Sequence, residues 1–347
     1  MHKFHSLIVS SIKPLTTDSV AISFDTTNND LFQFVSGQYI TIKHQIDGEE
    51  VRRAYSICSA NTEDVTIGVK RVENGKMSTF LTKDVKVGDA LEIMPPSGNF
   101  VVKSDPYHIV GICAGSGVTP ILSILKTELA LDRQTKLTLI YGNKTQDSTM
   151  FKDDLKTLQE NYPEQFKIHW VYSREQVTGT IHGRIDKNTL QQLINMSPSL
   201  KSAEAYFICG PGEFIDNAND LLLLNKINQN KINIEHFTSV IKEDINNDNN
   251  SDEIIANVMV TVDGEDFEFT LSNKGKTILD AAIEQGADVP FSCKGAVCCT
   301  CKAKVMEGRV VMDQNFALSD EEVAEGYVLG CQSHPASENV VIDFDEI

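Results

Sequence analysis

No stretch of this 347-residue chain stays apolar for long enough to enter a membrane. The longest purely aliphatic run is four leucines, 221–224, against the roughly 20 residues that a spanning helix needs. The opening segment MHKFHSLIVSSIKPL also lacks the apolar core and small-residue cleavage site of a secretory signal, so a cytoplasmic protein is expected. Positive charge is scarce as well: 31 Lys and Arg stand against 49 Asp and Glu, a net charge of −18. That balance argues against a DNA- or RNA-binding surface. Motifs of the G-x-S-x-G, H-E-x-x-H and P-loop lysine kinds are missing, which removes three common hydrolase readings. There is no internal repeat and no long low-complexity tract.

What is present falls into three segments, as a chain too long for one ordinary core should. The first hundred residues alternate short β-rich runs such as SVAISF and VTIGVKRV with Gly, Asp, Asn and Pro turns, the pattern of an antiparallel barrel or sandwich. From YHIVGICAG onward, strand-like and helix-like runs alternate, which predicts a parallel, doubly wound sheet. Residues 238–255, rich in Asn, Asp and Ser, read as a flexible linker. Beyond it come a hairpin turning at Asp263-Gly264, a short helix stopped by Gly286, a cysteine cluster and a closing strand. The expected domains are therefore 1–103, 104–237 and 256–347. The last segment holds 17 acidic and 6 basic residues, −11 of the total charge. Such a surface serves either solubility or the steering of a basic partner.

The cysteines carry the sharpest chemical signal. Cys293-x4-Cys298-x2-Cys301 followed by Cys331 is the plant-type [2Fe-2S] spacing: three thiolates from one tight loop and a fourth from a distant segment. Gly295 and the small Ala296 are expected to let that loop wrap closely, with backbone N–H groups aimed at sulfur. A zinc site would also accept four thiolates, but its usual form has two separated C-x2-C knuckles, and only one is present. Cys299 is the spare thiol.

Other motifs suit a flat heterocycle and phosphate groups. In Arg53-Ala54-Tyr55-Ser56 an arginine can pair with pyrophosphate, a tyrosine can stack on a flat heterocycle and a serine can reach its reactive edge. Gly75-Lys76-Met77-Ser78 can offer amides to a phosphate at a helix start, or Ser78 can act as a plain cap. Gly115-x-Gly117-x-x-Pro120 follows a strand and opens a helix, with Thr119 as expected N-cap and Pro120 as first helical residue. Proline stands where the dehydrogenase fingerprint has its third glycine. Ser173 and Arg174 can hold an adenosine 2′-phosphate, with Lys144 assisting. Cys209-Gly210-Pro211 ends a strand where open α/β sheets bind ligands. Glu235 can orient a nicotinamide or shuttle a proton, and Phe237 can cover a ring. Taken singly, each of these is also ordinary structural sequence. His182 and His334 have no partner spacing and receive no role.

Their order is not ordinary. R-x-Y-S, G-x-x-S, G-x-G-x-x-P, C-G-P and the cysteine cluster, in that sequence, resemble the ferredoxin–NADP reductase superfamily with a C-terminal plant-type ferredoxin domain. The likeness covers essentially the whole chain. Stretches such as RRAYSIC, LIYGNKT, FICGP and GYVLGCQ are similar to reductase subunits of multicomponent phenylacetyl-CoA epoxidases. The resemblance implies a multidomain fold: an antiparallel β-barrel for FAD, a doubly wound α/β sheet for NADP and an α+β β-grasp ferredoxin domain. It implies FAD, one [2Fe-2S] cluster and NADPH in preference to NADH. Electrons would pass to a di-iron oxygenase, with no nucleic-acid or membrane partner. By position, Arg53, Ala54, Tyr55, Ser56, Gly75, Lys76, Met77 and Ser78 would bind flavin. Gly115, Gly117, Thr119, Pro120, Gly210 and Pro211 would serve the pyridine nucleotide. Ser56, Cys209 and Glu235 would lie at the hydride-transfer centre, and Cys293, Cys298, Cys301 and Cys331 would ligate the cluster. Cys299 departs from the small residue common in the family. Similar reductases serve Rieske-type aromatic-ring or steroid hydroxylases; an iron–sulfur redox sensor is the reading from a different class.

Overall fold

The computed structural model describes residues 3–27, 29–131, 133–237 and 253–346. It divides after Phe237 into two compact units. Most of the expected linker, up to residue 252, lies outside the described residues.

The first unit begins with an antiparallel barrel. Its strands are β1 (His5–Thr16), β2 (Ser19–Phe24), β3 (Tyr39–Ile46), β4 (Glu49–Ser56), β5 (Thr66–Lys70) and, after helix α1 (Lys76–Lys83), β6 (Ala90–Ser97). They run in the order β4-β3-β6-β1-β2-β5, and a bridge between Ile57 and Ile67 closes the ends. The β3–β4 hairpin turns at Asp47-Gly48, both with positive φ, as a two-residue turn matched to strand twist requires. Alternation puts Ile22, Phe24, Ile40, Ile42, Ile67 and Ile93 inside. Each such side chain contributes roughly 1.5–3 kcal/mol on burial.

A parallel sheet follows, made of β7 (His108–Ala114), β8 (Lys136–Asn143), β9 (Phe166–Tyr172), β10 (Ile181–His182), β11 (Ala205–Gly210) and β12 (Ile232–His236). Helices α2 (Val118–Ala130), α3 (Lys152–Asn161), α4 (Lys187–Met196) and α5 (Gly212–Leu224) connect them. The order β10-β9-β8-β7-β11-β12 reverses between β7 and β11, and the crevice at that switch point is where such sheets bind ligands. One face packs α4 and α5. The other packs α2 and α3 together with Ala21, Cys58 and Phe100 of the barrel. The two-residue β10 was not expected, being too short for any periodicity to register.

The second unit is a mixed sheet. Its strands are β13 (Ile255–Val262), β14 (Glu265–Ser272), β15 (Lys302–Glu307), β16 (Val310–Met312), β17 (Tyr327–Leu329), β18 (Ser333–Pro335) and β19 (Asn339–Asp343). Helix α6 (Ile278–Glu284) lies between β14 and β15 in sequence, and α7 (Asp320–Ala324) precedes β17. Five strands form the order β14-β13-β19-β15-β17, with β13 and β19 parallel. The Asp263-Gly264 turn and the helix stop at Gly286, φ 91°, are as expected. Among the described residues no helix is long and apolar enough to cross a membrane.

Candidate functional site

The end of β4 and the end of β12 meet. Ser56 Oγ donates to Glu235 Oε2 at 3.1 Å, across 179 residues of chain. Ser56 is buried. Glu235 keeps some solvent contact, yet desolvation pushes its carboxyl up to about 8, against a smaller lowering by the Ser56 hydrogen bond. Across the sheet Glu235 stands in register with Cys209, and Cys209 with Cys113. Burial holds the Cys209 thiol well above its usual range, with Glu235 adding to the effect, so it is a neutral, unreactive thiol.

The other flavin-motif residues lie along β4 and at the start of α1. Arg53 is exposed, its Nη1 donating to Arg52 O at 2.7 Å. Tyr55 is half-buried, and burial raises its hydroxyl above the phenol range. Ala54 lies between them on the same strand. At α1 the N-cap is Gly75, not Ser78. The Ser78 hydroxyl accepts from Val72 N at 3.1 Å and donates to Gly75 O at 3.2 Å, so it shapes the turn instead of facing outward. Met77 belongs to the barrel core, and Lys76 pairs with Glu49. What this segment offers a phosphate is backbone amide.

The glycine turn after β7 is built by close approach. A Cβ on Gly117 would lie 2.2 Å from Cys209 O, whereas one on Gly115, at φ +57°, would meet open space. Helix α2 starts at Val118, so Thr119 is its second residue and Pro120 its third. This corrects the expected cap. Thr119 Oγ1 donates to Ser116 O at 3.0 Å, and its methyl packs where Gly68 leaves room. Proline remains admissible because first-turn amides need no helical acceptor. Tyr141 Oη donates to Gly115 O at 2.9 Å, with Met150 O farther away at 3.3 Å. Gly210 ends β11 and Pro211 caps α5. Arg174 is exposed beyond β9, its amide donating to Lys144 O at 2.9 Å. Ser173 Oγ donates to Asn143 O at 3.4 Å. Phe237 is 39% exposed after β12. Sequence reasoning missed Tyr141 and Gly68; their only signal is a tyrosine in the last half of β8 and a glycine in the middle of β5.

In the second unit the thiols form a string. Cys298 Sγ donates to Cys293 Sγ at 3.1 Å. Hydrogen bonds from Cys298 and Cys331 hold Cys293 far below the ordinary thiol range, with backbone bonds from Gly295 and Val297 lowering it further. Donating to Cys293 raises Cys298 and Cys331, and Cys331 also bonds Cys301. Gly295 N reaches Cys293 Sγ at 3.3 Å, so loop amides do face sulfur. The left-handed positions are Lys294 (φ 49°) and Ala296 (φ 63°), flanking Gly295; strain of this kind costs roughly 1–3 kcal/mol per residue. The Ser292 hydroxyl is buried and has no partner among the described residues. No three described His, Cys, Asp or Glu side chains are arranged to hold a single metal ion. A string of four thiols suits two irons with two thiolates each. Cys299 Sγ is turned aside, donating to Ala317 O at 3.3 Å. His334 instead pairs with Asp313, and His182 with Glu175 O.

Three family models match: an oxidoreductase FAD-binding domain over 6–102, an oxidoreductase NAD-binding domain over 112–220 and a 2Fe-2S iron–sulfur cluster binding domain over 260–336. The chain is 37% identical to one of the subunits of the 1,2-phenylacetyl-CoA epoxidase of Escherichia coli (strain K12), with 99% of each covered. It is 32% identical to the 3-ketosteroid-9-alpha-monooxygenase ferredoxin reductase component of Rhodococcus rhodochrous, over 97% of this chain and 96% of that one. Among solved structures, phthalate dioxygenase reductase shares the fold at a TM-score of 0.61 and 23% identity, over 98% of both chains.

Proposed function

The chain belongs to the ferredoxin–NADP reductase superfamily, in the branch that carries a C-terminal [2Fe-2S] domain, and from that premise we propose that it is the NADPH-dependent reductase of a multicomponent oxygenase. The partner we infer is a di-iron phenylacetyl-CoA epoxidase, on the strength of the 37% identity. On the same reading, residues 1–103 form the FAD domain, 104–237 the nucleotide domain and 256–347 the ferredoxin domain, joined by 238–255.

The observation that carries this reading is the Ser56–Glu235 contact. It brings the strand of the flavin motif to the ligand-binding end of the parallel sheet, beside Cys209 and Gly117. When bound, the cofactors supply hydride transfer from NADPH to FAD and single-electron transfer to [2Fe-2S]. The protein's part is placement. Tyr55 and Ser56 would hold the flavin ring, and Arg53 would offer charge to its pyrophosphate. Glu235 holds a proton at neutral pH, since its carboxyl titrates at about 8, and Ser56 fixes its orientation. Gly117 lets the turn's backbone approach Cys209 O at the switch point, where any side chain would collide. Phe237 is available to cover a ring. Cys293, Cys298, Cys301 and Cys331 would hold the cluster.

The as-purified visible spectrum tests the assignment: flavin bands and broad iron–sulfur absorption together, with NADPH-driven reduction of cytochrome c or a dye. Flavin bands without iron–sulfur absorption would favour the zinc alternative. The 32% identity to a steroid-oxygenase reductase component keeps a Rieske partner as the second reading. Stimulated NADPH consumption by purified epoxidase components with phenylacetyl-CoA, and none by a 3-ketosteroid oxygenase, separates the two.

Cofactor preference gives a further prediction. Arg174, exposed beyond β9, has no 2′-phosphate to meet in NADH. Arg174→Ala should raise KM for NADPH about tenfold, since a charge-assisted hydrogen bond contributes ~1.5–3 kcal/mol before solvent screening. KM for NADH should change far less; equal effects on both would refute the 2′-phosphate assignment.

A further inference from the structure

Tyr141 is fully buried at the end of β8, and the sequence motifs assign it no role. Its single hydroxyl hydrogen has two carbonyl acceptors within reach, and the nearer is Gly115 O at 2.9 Å. One residue on, Thr119 Oγ1 draws in Ser116 O at 3.0 Å. Among the described residues no peptide is cis, and in a trans peptide the C=O and the following N–H point in opposite directions. Pulling the Gly115 and Ser116 carbonyls inward therefore turns the amides of Ser116 and Gly117 toward the open N-terminal side of α2. A Cβ added to Gly115 would meet nothing within 4 Å, so the turn itself is open. Rotation of either plane would aim a carbonyl dipole there instead.

We propose that Tyr141, with Thr119, is a positioning residue for the nucleotide pyrophosphate, orienting two consecutive peptide planes so that N–H groups face it. The inference rests on the pyridine-nucleotide reading of the turn. Burial keeps the Tyr141 hydroxyl protonated well beyond neutral pH, so its donation persists under all working conditions. Thr119 is held in place because Gly68 leaves room for its methyl.

The test uses the full-length holoenzyme with NADPH-driven dye reduction, inhibited competitively by NADP+ or by 2′,5′-ADP, which lacks the bridging pyrophosphate. Tyr141→Phe keeps the ring and removes the hydroxyl. It should raise KM for NADPH and Ki for NADP+ about fivefold to tenfold, the loss of one oriented hydrogen bond, with kcat changing much less. Ki for 2′,5′-ADP should stay within about twofold. An unchanged Ki for NADP+, or equal weakening of both inhibitors, overturns the proposal, the latter because it reports general loosening. Should Tyr141→Phe fail to fold, Thr119→Val should give the same selective loss and Thr119→Ser should restore binding; no difference between those two overturns it as well. A wild-type enzyme that neither oxidises NADPH nor binds NADP+ would sink the nucleotide reading itself, before any variant is compared.

Discussion

Cys298→Ala is expected to strip the iron–sulfur absorption from the protein and to cut electron delivery to an oxygenase on the order of 100-fold or more, because on the proposed reading the path to the partner runs through the cluster that Cys298 would help to hold. Reduction of the flavin by NADPH should survive, since the elements that bind both belong to the first unit. Cys299→Ala, one residue on, should keep the cluster and most of the activity. The distinction comes from side-chain direction. Cys298 Sγ bonds Cys293 Sγ within the thiol string, whereas Cys299 Sγ bonds the carbonyl of Ala317. Iron and sulfide analysis of both variants decides the matter. Loss of the cluster from Cys299→Ala and its retention in Cys298→Ala would overturn the ligand register.

The second large effect concerns Glu235. With its carboxyl raised to about 8 by desolvation, the folded protein keeps a proton that the unfolded chain releases near 4.5. Below the unfolded value both states are protonated and stability is at its full level. As pH rises from 4.5 to about 8 the unfolded state alone loses the proton, and stability falls by at most about 1.4 kcal/mol per pH unit. The solvent contact of the side chain moderates the shift and so shortens the pH range over which stability falls. Glu235→Gln copies the neutral acid without titrating. Its melting temperature should match the wild type near pH 5 and exceed it near pH 8; parallel melting curves would refute the raised value. Catalysis should respond differently. Glutamine cannot release or accept a proton, so the loss in kcat should be roughly 10²-fold, and the pH dependence around 8 should vanish from the rate profile. Ser56→Ala, which removes the hydrogen bond that orients the carboxyl, should cost less.

Much of the architecture is readable from local signals. Asp263-Gly264 announces its hairpin because both positions need positive φ. The change from period-two runs to alternating strand and helix marks the passage from barrel to parallel sheet. Other features leave no such trace. Strands as short as β10 and β16 are below the length at which alternation can be recognised. Gly295 and Ala296 promise a closely wrapped cysteine loop, but that the left-handed positions in it are Lys294 and Ala296 leaves no trace in residue propensity. Thr119 has the chemistry of an N-cap, but packing against Gly68 draws it into the helix.

By itself the sequence pointed to a [2Fe-2S] cluster, since the spacing of Cys293, Cys298 and Cys301 within one loop is a local property, whereas only folding brings the distant Cys331 to Cys293 and Cys301. The sequence also determined the order of the flavin and nucleotide motifs. Only the tertiary structure decided that Ser56 meets Glu235 and that Tyr141 grips the Gly115 carbonyl. Those pairings exist because the barrel packs on the sheet and because neighbouring parallel strands align their ends. The raised carboxyl of Glu235 follows from the same packing: desolvation depends on what surrounds a group in space.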